Sequence, residues 1–306
     1  MKIAFGLDVG GTAVKYGIIS QKGEILFSEN KDFLSKSIQD VRSGLNQSIQ
    51  IMHKAAGKKP IGIGLGLPGC VDRENQTVPA GADNLACLNG MPINAILDPV
   101  EENLCIDNDA KCAALGEKIY GAAKKYSHAA VITLGTGIGC GLILDNALYR
   151  GANNYAGEYG HIPLIPDGLQ CECGKRGCFE MYVSAKAIVR RAHAFITRAI
   201  PTSLIEEPRI TSNAVFEHAK NGDKIAGVII SEMSRYLALG LSHVINTFNP
   251  EAIIIGGGLS HFFDLYIDNV IYYLEDYALP YAFKNVEILR AELKNEAGWV
   301  GAAAMV

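Results

Sequence analysis

The chain has 306 residues, of which 49% are hydrophobic and 20% are charged, and its formal net charge at pH 7 is −4. This length allows two domains with separate cores, and the composition is that of an ordinary globular protein. The slightly acidic charge balance differs from the basic surface of nucleic-acid-binding proteins, so nucleic acid is not an expected partner.

Targeting signals and cysteine usage indicate where the protein works. The N-terminus reaches an acidic residue and a glycine pair at once, a pattern without a signal-peptide core. The longest apolar run, 129–144, contains four glycines and is shorter than a membrane span, so it predicts two buried strands and a turn. Eight cysteines without a secretory signal favour the reducing cytoplasm, and we expect no membrane association.

The first quarter of the chain predicts a mixed sheet. Strands are expected at 2–9, 13–20 and 24–28, because apolar and β-branched residues dominate these runs. Residues 37–56 carry apolar side chains at helical spacing, and 61–67 form another apolar run. The order strand, strand, strand, helix, strand differs from strict βαβ alternation, which is why we expect antiparallel and parallel neighbours in one sheet.

The middle of the chain repeats the opening pattern. A loop-rich region at 68–94 precedes a short strand at 104–106 and a helix at 109–120. The segments LDVGGTAVKYGII and TLGTGIGCGLIL then share the order strand, glycine–threonine turn, strand. This similarity predicts an internal duplication of a domain core.

The second half is mostly helical. The periodicity of apolar residues predicts helices at 184–200, 212–221, 223–248 and 297–305. A short strand at 251–255 is expected to end in the glycine cluster 256–258.

One segment, 156–180, combines a histidine with three cysteines. Three thiolates and one imidazole make a complete tetrahedral ligand set for structural zinc, which predicts a site built from His161, Cys171, Cys173 and Cys178. His161 alone would fit a core histidine equally well, but the downstream cysteines favour metal ligation. Carboxylates of Glu158 and Glu180 flank the set. The other five cysteines, each alone among apolar or small residues, are expected to be free thiols in or near the core.

Two glycine–threonine turns predict phosphate contacts. Backbone N–H groups at the tip of such a turn can meet phosphate oxygens, and the threonine hydroxyl adds a donor. The turns are Gly10–Thr12 and Gly135–Gly139, and a third glycine cluster follows at Gly256–Gly258. Either hairpin alone could be an ordinary tight turn, whereas the three together favour nucleotide binding. Asp8, at the end of the first strand, could hold Mg²⁺ directly or through water.

Asn108 and Asp109 stand where a helix is predicted to begin. They could be a helix N-cap pair, which alone would be the simpler interpretation. An aspartate here could also accept the proton of a substrate hydroxyl during phosphoryl transfer. Other motifs fail: Gly64–Gly69 matches a dinucleotide fingerprint but no helix follows it, and the calcium-loop pattern starting at Asp107 breaks at Lys111.

Together these motifs resemble the ROK family (repressors, open reading frames, kinases), which contains bacterial-type sugar kinases of the actin-like ATPase fold. The resemblance covers nearly the whole chain, and its most specific part is the glutamate–glycine–histidine element joined to the cysteine element. It implies an α/β, ribonuclease H-like fold with two α/β domains around a central cleft and a zinc-binding loop at 161–178. The small domain is expected at 1–118 with the closing helix 295–306, and the large domain at 119–294.

The resemblance also implies an activity: ATP-dependent phosphorylation of a hexose or N-acetylhexosamine at its 6-hydroxyl, with Mg²⁺ and structural Zn²⁺, by a homodimer. Asp109 is the implied general base. The implied sugar ligands are Asn84, Asn108, Asp109, Glu158, His161 and Glu180. The implied nucleotide contacts are Asp8, Gly10, Gly11, Thr12, Lys15, Thr136, Gly137, Gly256, Gly257 and Gly258. His161 would place one ring nitrogen on zinc and turn the other to the sugar.

Several positions depart from the family pattern. Leu88 to Gly90 lack the tryptophan of many glucose kinases, Asp107 replaces a common glutamate, and Lys111 and Cys112 replace small or amide residues. The loop departure leaves the sugar open among glucose, N-acetylmannosamine, N-acetylglucosamine, allose and fructose.

Three rival functions are disfavoured. A transcriptional repressor of the family would carry a DNA-binding domain ahead of the first strand, which is expected to begin already at Ile3. A non-catalytic sugar sensor is the alternative within the family, and the presence of Asp109 counts against it. A zinc hydrolase would need an open coordination position for water, whereas three cysteines and a histidine fill all four.

Overall fold

The structure is a computed structural model that describes residues 1–34 and 36–306. It contains two compact units: unit one is Met1–Ser127, Gly141–Gly157 and Glu292–Val306, and unit two is His128–Cys140 and Glu158–Ala291. The boundaries between these units differ from the predicted domain boundaries at 118/119 and 294/295. The predicted division into domains stays a prediction.

Secondary structure follows the predicted order closely in the first part of the chain. Up to Tyr120 the elements are β1 (Ile3–Val9), β2 (Ala13–Ser20), β3 (Ile25–Asp32), α1 (Ile38–Ala56), β4 (Ile63–Leu67), β5 (Thr77–Val78), β6 (Met91–Pro92), α2 (Ile93–Ile96), β7 (Leu104–Asn108) and α3 (Asp109–Tyr120). The region predicted as loop, 68–94, therefore contains the small antiparallel pair β5–β6 and the start of α2.

The remaining elements include several that the sequence analysis left uninterpreted. They are β8 (Ala129–Leu134), β9 (Ile138–Leu144), β10 (Ala147–Tyr149), α4 (Glu180–Val183), α5 (Ala185–Thr197), α6 (Ser212–Lys220), α7 (Lys224–Phe248), β11 (Ala252–Gly256), α8 (Ile267–Tyr277), α9 (Pro280–Phe283), β12 (Glu287–Arg290) and α10 (Ala297–Ala303). No element was predicted where β10, α8, α9 and β12 form. Most of these are short, and short apolar runs carry little periodic signal.

The sheet of unit one is mixed, as predicted. Its strand order is β3-β2-β1-β4-β7. The pairs β1–β2 and β2–β3 are antiparallel, whereas β1–β4 and β4–β7 are parallel. Helix α1 begins at the N-cap Ser37, whose side chain accepts a hydrogen bond from the Asp40 backbone, and it buries an apolar stripe that includes Val41 and Leu45.

The second sheet has the same plan. Its order is β10-β9-β8-β11-β12, with an antiparallel pair β9–β10 and parallel pairs β8–β11 and β11–β12. Strand β9 begins in unit two and continues into unit one. An antiparallel pair followed by parallel strands thus occurs in both sheets, which supports the predicted internal duplication.

Helix α10 lies directly on the sheet of unit one because glycines remove the side chains between them. A Cβ added at Gly6 would lie 1.9 Å from Trp299 O, and one at Gly64 would lie 1.8 Å from Ala302 O. Such distances permit only glycine at both strand positions. The close contact buries Trp299 completely.

Helix α7 is the most apolar helix of unit two. By length and composition, Lys224–Phe248 is the one helix among the described residues that could cross a membrane, but 56% of its most apolar window is buried within the protein. Its buried residues face α5, α6 and α8. This burial is what the core helix of a globular domain shows.

Candidate active site

Parallel strands place two aspartates in line, with a glycine between them, at one edge of unit one. In the register of β1, β4 and β7, Asp8 pairs with Gly66, and Gly66 pairs with Asp107. Asn108 and Asp109 follow at the end of β7 and the start of α3. Ligands of open α/β sheets bind outside the carboxyl ends of the strands, and this edge is such a location.

Asn108 is both a helix cap and a neighbour of the predicted base. Its Oδ1 accepts hydrogen bonds from the backbone of Ala110 at 3.0 Å and Lys111 at 3.2 Å. Its Nδ2 donates to Asp109 Oδ1 at 2.9 Å and to Gly69 O at 3.1 Å. The N-cap interpretation is therefore correct, and the same side chain orients the Asp109 carboxylate, whose charge the helix N-terminus favours.

Asp8 lies in a crowded environment under α10. A Cβ added at Gly298 would lie 2.3 Å from Asp8 Oδ2. Burial raises the pKa of Asp8 to about 6, and the charge of Lys15, its cross-strand partner, opposes that rise. A bound cation would hold this carboxylate in its ionised form.

The first glycine turn lies beside Asn84. Gly10 N donates to Ala13 O at 2.8 Å, which closes the turn between β1 and β2. A Cβ at Gly11 would lie 3.0 Å from the Asn84 Cβ, so glycine leaves room for this asparagine against the turn. Unit one therefore contains six of the residues and segments predicted for the site: Asp8, Gly10–Thr12, Lys15, Asn84, Asn108 and Asp109.

The second glycine turn and the glycine cluster lie together in unit two. Gly135 N donates to Gly137 O at 3.0 Å, and Gly135 O accepts from Ala185 N, at the start of α5, at 2.8 Å. Gly257 has φ +77°, and a Cβ there would lie 2.5 Å from Leu134 O, the last residue of β8. The parallel strands β8 and β11 thus end at one edge of the sheet, and each is followed there by a predicted nucleotide-binding segment. These segments include Thr136, Gly137 and Gly256–Gly258.

The predicted metal ligands converge in unit two. One nitrogen or sulfur atom from each of His161, Cys171, Cys173 and Cys178 lies within 4.8 Å of all the others. Cys171 Sγ is 3.7 Å from His161 Nδ1, and Cys173 Sγ is 3.6 Å from Cys178 Sγ. A tetrahedral zinc site with Zn–S bonds of about 2.3 Å has ligand–ligand edges of about 3.8 Å, so these residues fit zinc.

The protonation of the thiols in this cluster depends on whether a metal ion is bound. Burial raises the pKa of the Cys171 and Cys178 thiols. A coordinated metal ion reverses that preference because its charge stabilises the thiolate. The remaining five cysteines form no disulfide bond with another described residue, as expected; Cys112 and Cys140 are buried, and the others are half-buried.

Two glutamates flank the cluster in sequence, and the carboxylate of Glu180 reaches it. Glu180 Oε1 accepts from Cys171 Sγ at 3.2 Å and lies 3.8 Å from His161 Nδ1. A Cβ added at Gly137 would lie 2.7 Å from Glu180 Oε2, which places this glutamate between the metal cluster and the second glycine turn. Glu158 caps the turn that carries His161, whose N–H donates to Glu158 O at 3.2 Å.

Comparison with known proteins decides the family. The model of the ROK family matches residues 4–306 of this chain.

The chain belongs to the ROK family.

Its relatives within this family include both kinases and regulators. A glucokinase of Thermotoga maritima is 31% identical over 307 residues, which cover 98% of this chain and 96% of the relative. A xylose repressor of Caldicellulosiruptor bescii is also 31% identical, over 98% of this chain but only 77% of the repressor.

Solved ROK structures share the fold. The crystal structure of a ROK family glucokinase from Streptomyces griseus, in complex with glucose and AMPPNP, superposes with a TM-score of 0.87 at 31% identity and covers 99% of both chains. A ROK hexokinase from Thermus thermophilus gives a TM-score of 0.77 at 27% identity over 98% of this chain and 96% of that one. The α/β, actin-like ATPase fold predicted from the motifs is confirmed.

Sequence reasoning missed a polar group beside Asp109. Asp107 and Lys111 stood out in the sequence only as part of a failed calcium-loop pattern and as departures from the ROK pattern, and no role was predicted for Arg150 or Asn154. In the structure Arg150 Nε donates to Asp107 Oδ2 at 2.9 Å, and Lys111 Nζ donates to Asn154 O at 2.7 Å. A lysine in the first turn of a helix, where the dipole disfavours a cation, was the available signal.

Proposed function

We propose that this ROK protein is an ATP-dependent sugar kinase that phosphorylates a hexose or N-acetylhexosamine at its 6-hydroxyl. The observation that carries the proposal is the placement of Asp109 at the N-terminus of α3, with its carboxylate oriented by Asn108 at the sheet edge that also carries Asp8. The likeness to a glucokinase that binds glucose and AMPPNP supports it.

In the proposed reaction Asp109 is the general base. Its carboxylate accepts the proton of the sugar hydroxyl as the oxygen attacks the γ-phosphorus of ATP, and ADP leaves. Asp8 would hold Mg²⁺ directly or through water, and the cation would supply charge neutralisation at the phosphates. Backbone and side chains of the two glycine turns would contact the phosphates and Gly256–Gly258 the adenosine; Lys15 completes this set.

Sugar recognition is proposed for a set of carboxylate, amide and imidazole groups. The proposed ligands are Asn84, Asn108, Asp109, Glu158, His161 and Glu180. Zinc on His161 Nδ1 would leave Nε2 to face the sugar, because coordination at one ring nitrogen sets the tautomer. Zinc held by these residues would therefore act as a scaffold and would take no part in the transfer.

A sugar-responsive regulator without kinase activity is the second candidate. The repressor relatives favour it, since one matches this chain as well as a glucokinase does by identity. The oriented Asp109 counts against it, because a sensor needs no base. A reducing cytoplasm is the proposed location, and it agrees with the free thiols.

A coupled assay of ADP release separates the candidates. The panel contains glucose, N-acetylmannosamine, N-acetylglucosamine, allose and fructose, and we expect turnover with at least one of them. Asp109→Asn should lower kcat on that sugar by about 10²–10⁴-fold, the usual contribution of a general base, while sugar binding by calorimetry persists. Asp40→Asn, in the first turn of α1, is the matched control and should keep its activity.

Two outcomes would contradict the proposal. If no sugar of the panel causes ADP release but sugar binding is measurable, the regulator is favoured. An active Asp109→Asn enzyme would remove the assignment of Asp109 as the base.

A further inference from the structure

We propose that Asp107, Lys111 and Asn154 form a positioning group that holds the base-bearing turn of α3 against the segment Arg150–Asn154. Unlike the sugar and nucleotide ligands, these residues are assigned no contact with either substrate. The inference rests on the proposed function, because Asp109 is the residue being positioned.

Asp107 is the buried centre of the group. Its side chain is fully buried, and its carboxylate accepts from Arg150 Nε at 2.9 Å, Asn154 Nδ2 at 3.1 Å and its neighbour Asn108 N at 2.9 Å. Arg73 Nε lies 4.0 Å away. A buried carboxylate supplied with this many donors is held in one orientation, and the loss of a donor weakens the compensation of its buried charge.

Lys111 holds the same turn by a second hydrogen bond. The residue is 2% exposed, and Nζ donates to the backbone carbonyl of Asn154 at 2.7 Å. Burying a lysine in the first turn of a helix is unfavourable on two counts, desolvation and the helix dipole. An apolar residue would serve packing better, so the ammonium group is explained by the carbonyl that it holds.

Asn154 takes part in the hydrogen bonds of both Asp107 and Lys111. Its Nδ2 donates to Asp107 Oδ1 and also to Val71 O at 2.8 Å, while its own carbonyl accepts from Lys111. Its backbone is left-handed, with φ +67°, and its Oδ1 is buried without a hydrogen-bond partner. A left-handed backbone and an unsatisfied oxygen at one residue are the cost of its contacts with both Asp107 and Lys111.

Asp109 lies in sequence between the two tied residues, Asp107 and Lys111. Asp107 also accepts a hydrogen bond from the Asn108 backbone, and Asn108 Nδ2 donates to Asp109 Oδ1. The positioning group is therefore connected to the base through one side chain, that of Asn108. The held segment continues through Gly157 to Glu158, a proposed sugar ligand. Releasing it should therefore disturb the geometry of transfer more than nucleotide binding.

Lys111→Met tests the proposal, with Lys118→Met as the matched control. Lys118 is on the same helix, and its Nζ also donates to a backbone carbonyl at 2.7 Å, that of Tyr126, at the end away from Asp109. With ATP and the sugar of the panel that is turned over fastest, Lys111→Met should lower kcat about 10–100-fold, the scale of a misplacement near 1 Å. The ATP KM should change by less than about twofold, and Lys118→Met should keep its kcat.

Asn154→Gly provides a second variant in case Lys111→Met does not fold. Glycine accepts the left-handed backbone and keeps the carbonyl that Lys111 binds, but it removes both side-chain hydrogen bonds. Its kcat should fall in the same way, with melting temperatures showing that each variant is folded at the assay temperature. Asp107→Glu, which keeps the carboxylate, should retain more kcat than Asp107→Asn.

The outcomes separate this inference from the proposed function. If the wild type is active and Asp109→Asn is inactive, but Lys111→Met and Asn154→Gly keep their kcat, the positioning role is wrong and the kinase assignment stands. An equal loss of kcat in Lys111→Met and Lys118→Met would show a structural effect only. A wild type that is inactive on every sugar would overturn both.

Discussion

Asp8 shows how a single residue can link stability to pH. Its pKa in the folded protein is about 6, above the ordinary value of 3.8, because burial disfavours the charge. The folded chain therefore holds this proton more tightly than the unfolded chain does. The resulting stabilisation is complete below the unfolded pKa and is lost as the pH rises through about 6.

Asp8→Asn should remove this pH dependence. In metal-free buffer the wild type should lose melting temperature between pH 4 and pH 6.5, roughly 2–4 °C for each kcal/mol, whereas the variant should show a flatter curve. At pH 7.5 the variant should be at least as stable as the wild type and yet inactive, because the proposed magnesium ligand is gone. Thermal melts across the pH range check this; parallel curves for both proteins would contradict it.

Asn108 shows how one side chain can cap a helix and also contact the predicted base, while its role as a sugar ligand stays a prediction. The sequence presented a choice between an N-cap and a part of the active site. The structure gives the cap to Oδ1 and the contact with Asp109 to Nδ2. An amide has an acceptor and a donor end, so one side chain can do both.

At the scale of elements, the metal-binding loop is the testable unit. Cys173 is exposed while Cys171 and Cys178 are buried, so Cys173→Ser removes a thiolate without leaving a cavity in the core. We expect loss of bound zinc and a rise in the sugar KM that exceeds the rise in the ATP KM, since His161 and Glu180 are proposed sugar ligands.

The measurements are metal content by atomic absorption and steady-state kinetics for both substrates. Cys105→Ser, a half-buried free cysteine outside the cluster, is the control and should keep its zinc. An equal loss of apparent affinity for sugar and ATP would mean that the loop stabilises the fold only.

Several strands of the two sheets were predicted accurately from the local pattern of apolar residues. Alternating and continuous apolar runs located β1, β2, β4, β8 and β9 within two residues of their observed bounds. The sequence does not predict strand β12 or helix α8. Strand β12 has only exposed and half-exposed residues, and helix α8 buries only Val270 and Leu274.

At the scale of the whole molecule, the assembly state remains a prediction from the ROK resemblance. Unit two exposes apolar side chains around α8 and α9, among them Tyr272 at 65%, Leu279 at 51% and Tyr281 at 80%. Aromatic residues are enriched in protein interfaces. We predict that the homodimer uses this surface.

Light scattering after gel filtration tests the predicted dimer. The double variant Leu279→Asp/Tyr281→Glu should shift the protein from dimer to monomer, because it places charges in an apolar interface. Tyr149→Glu changes an exposed tyrosine on β10 in unit one and should leave the dimer intact. A monomeric wild type, or a double variant that stays dimeric, would contradict the prediction.

Local chemistry is what the sequence by itself determined. Periodicity located the long helices and strands, and the glycine–threonine turns predicted nucleotide contacts. The spacing of His161, Cys171, Cys173 and Cys178 predicted a set of metal ligands, and the structure brings these four side chains together. These signals lie within short stretches of chain, where backbone preferences and ligand types act directly.

The tertiary structure alone decided which distant residues meet. Strand register set Asp8, Gly66 and Asp107 in line, and the fold brought Lys111 to Asn154, 43 positions away. Such pairs depend on the closure of long loops and on the burial of whole surfaces, which no local pattern encodes. Lys111 was therefore visible in the sequence only as an unusual residue, and its partner in the structure supplies the reason for it.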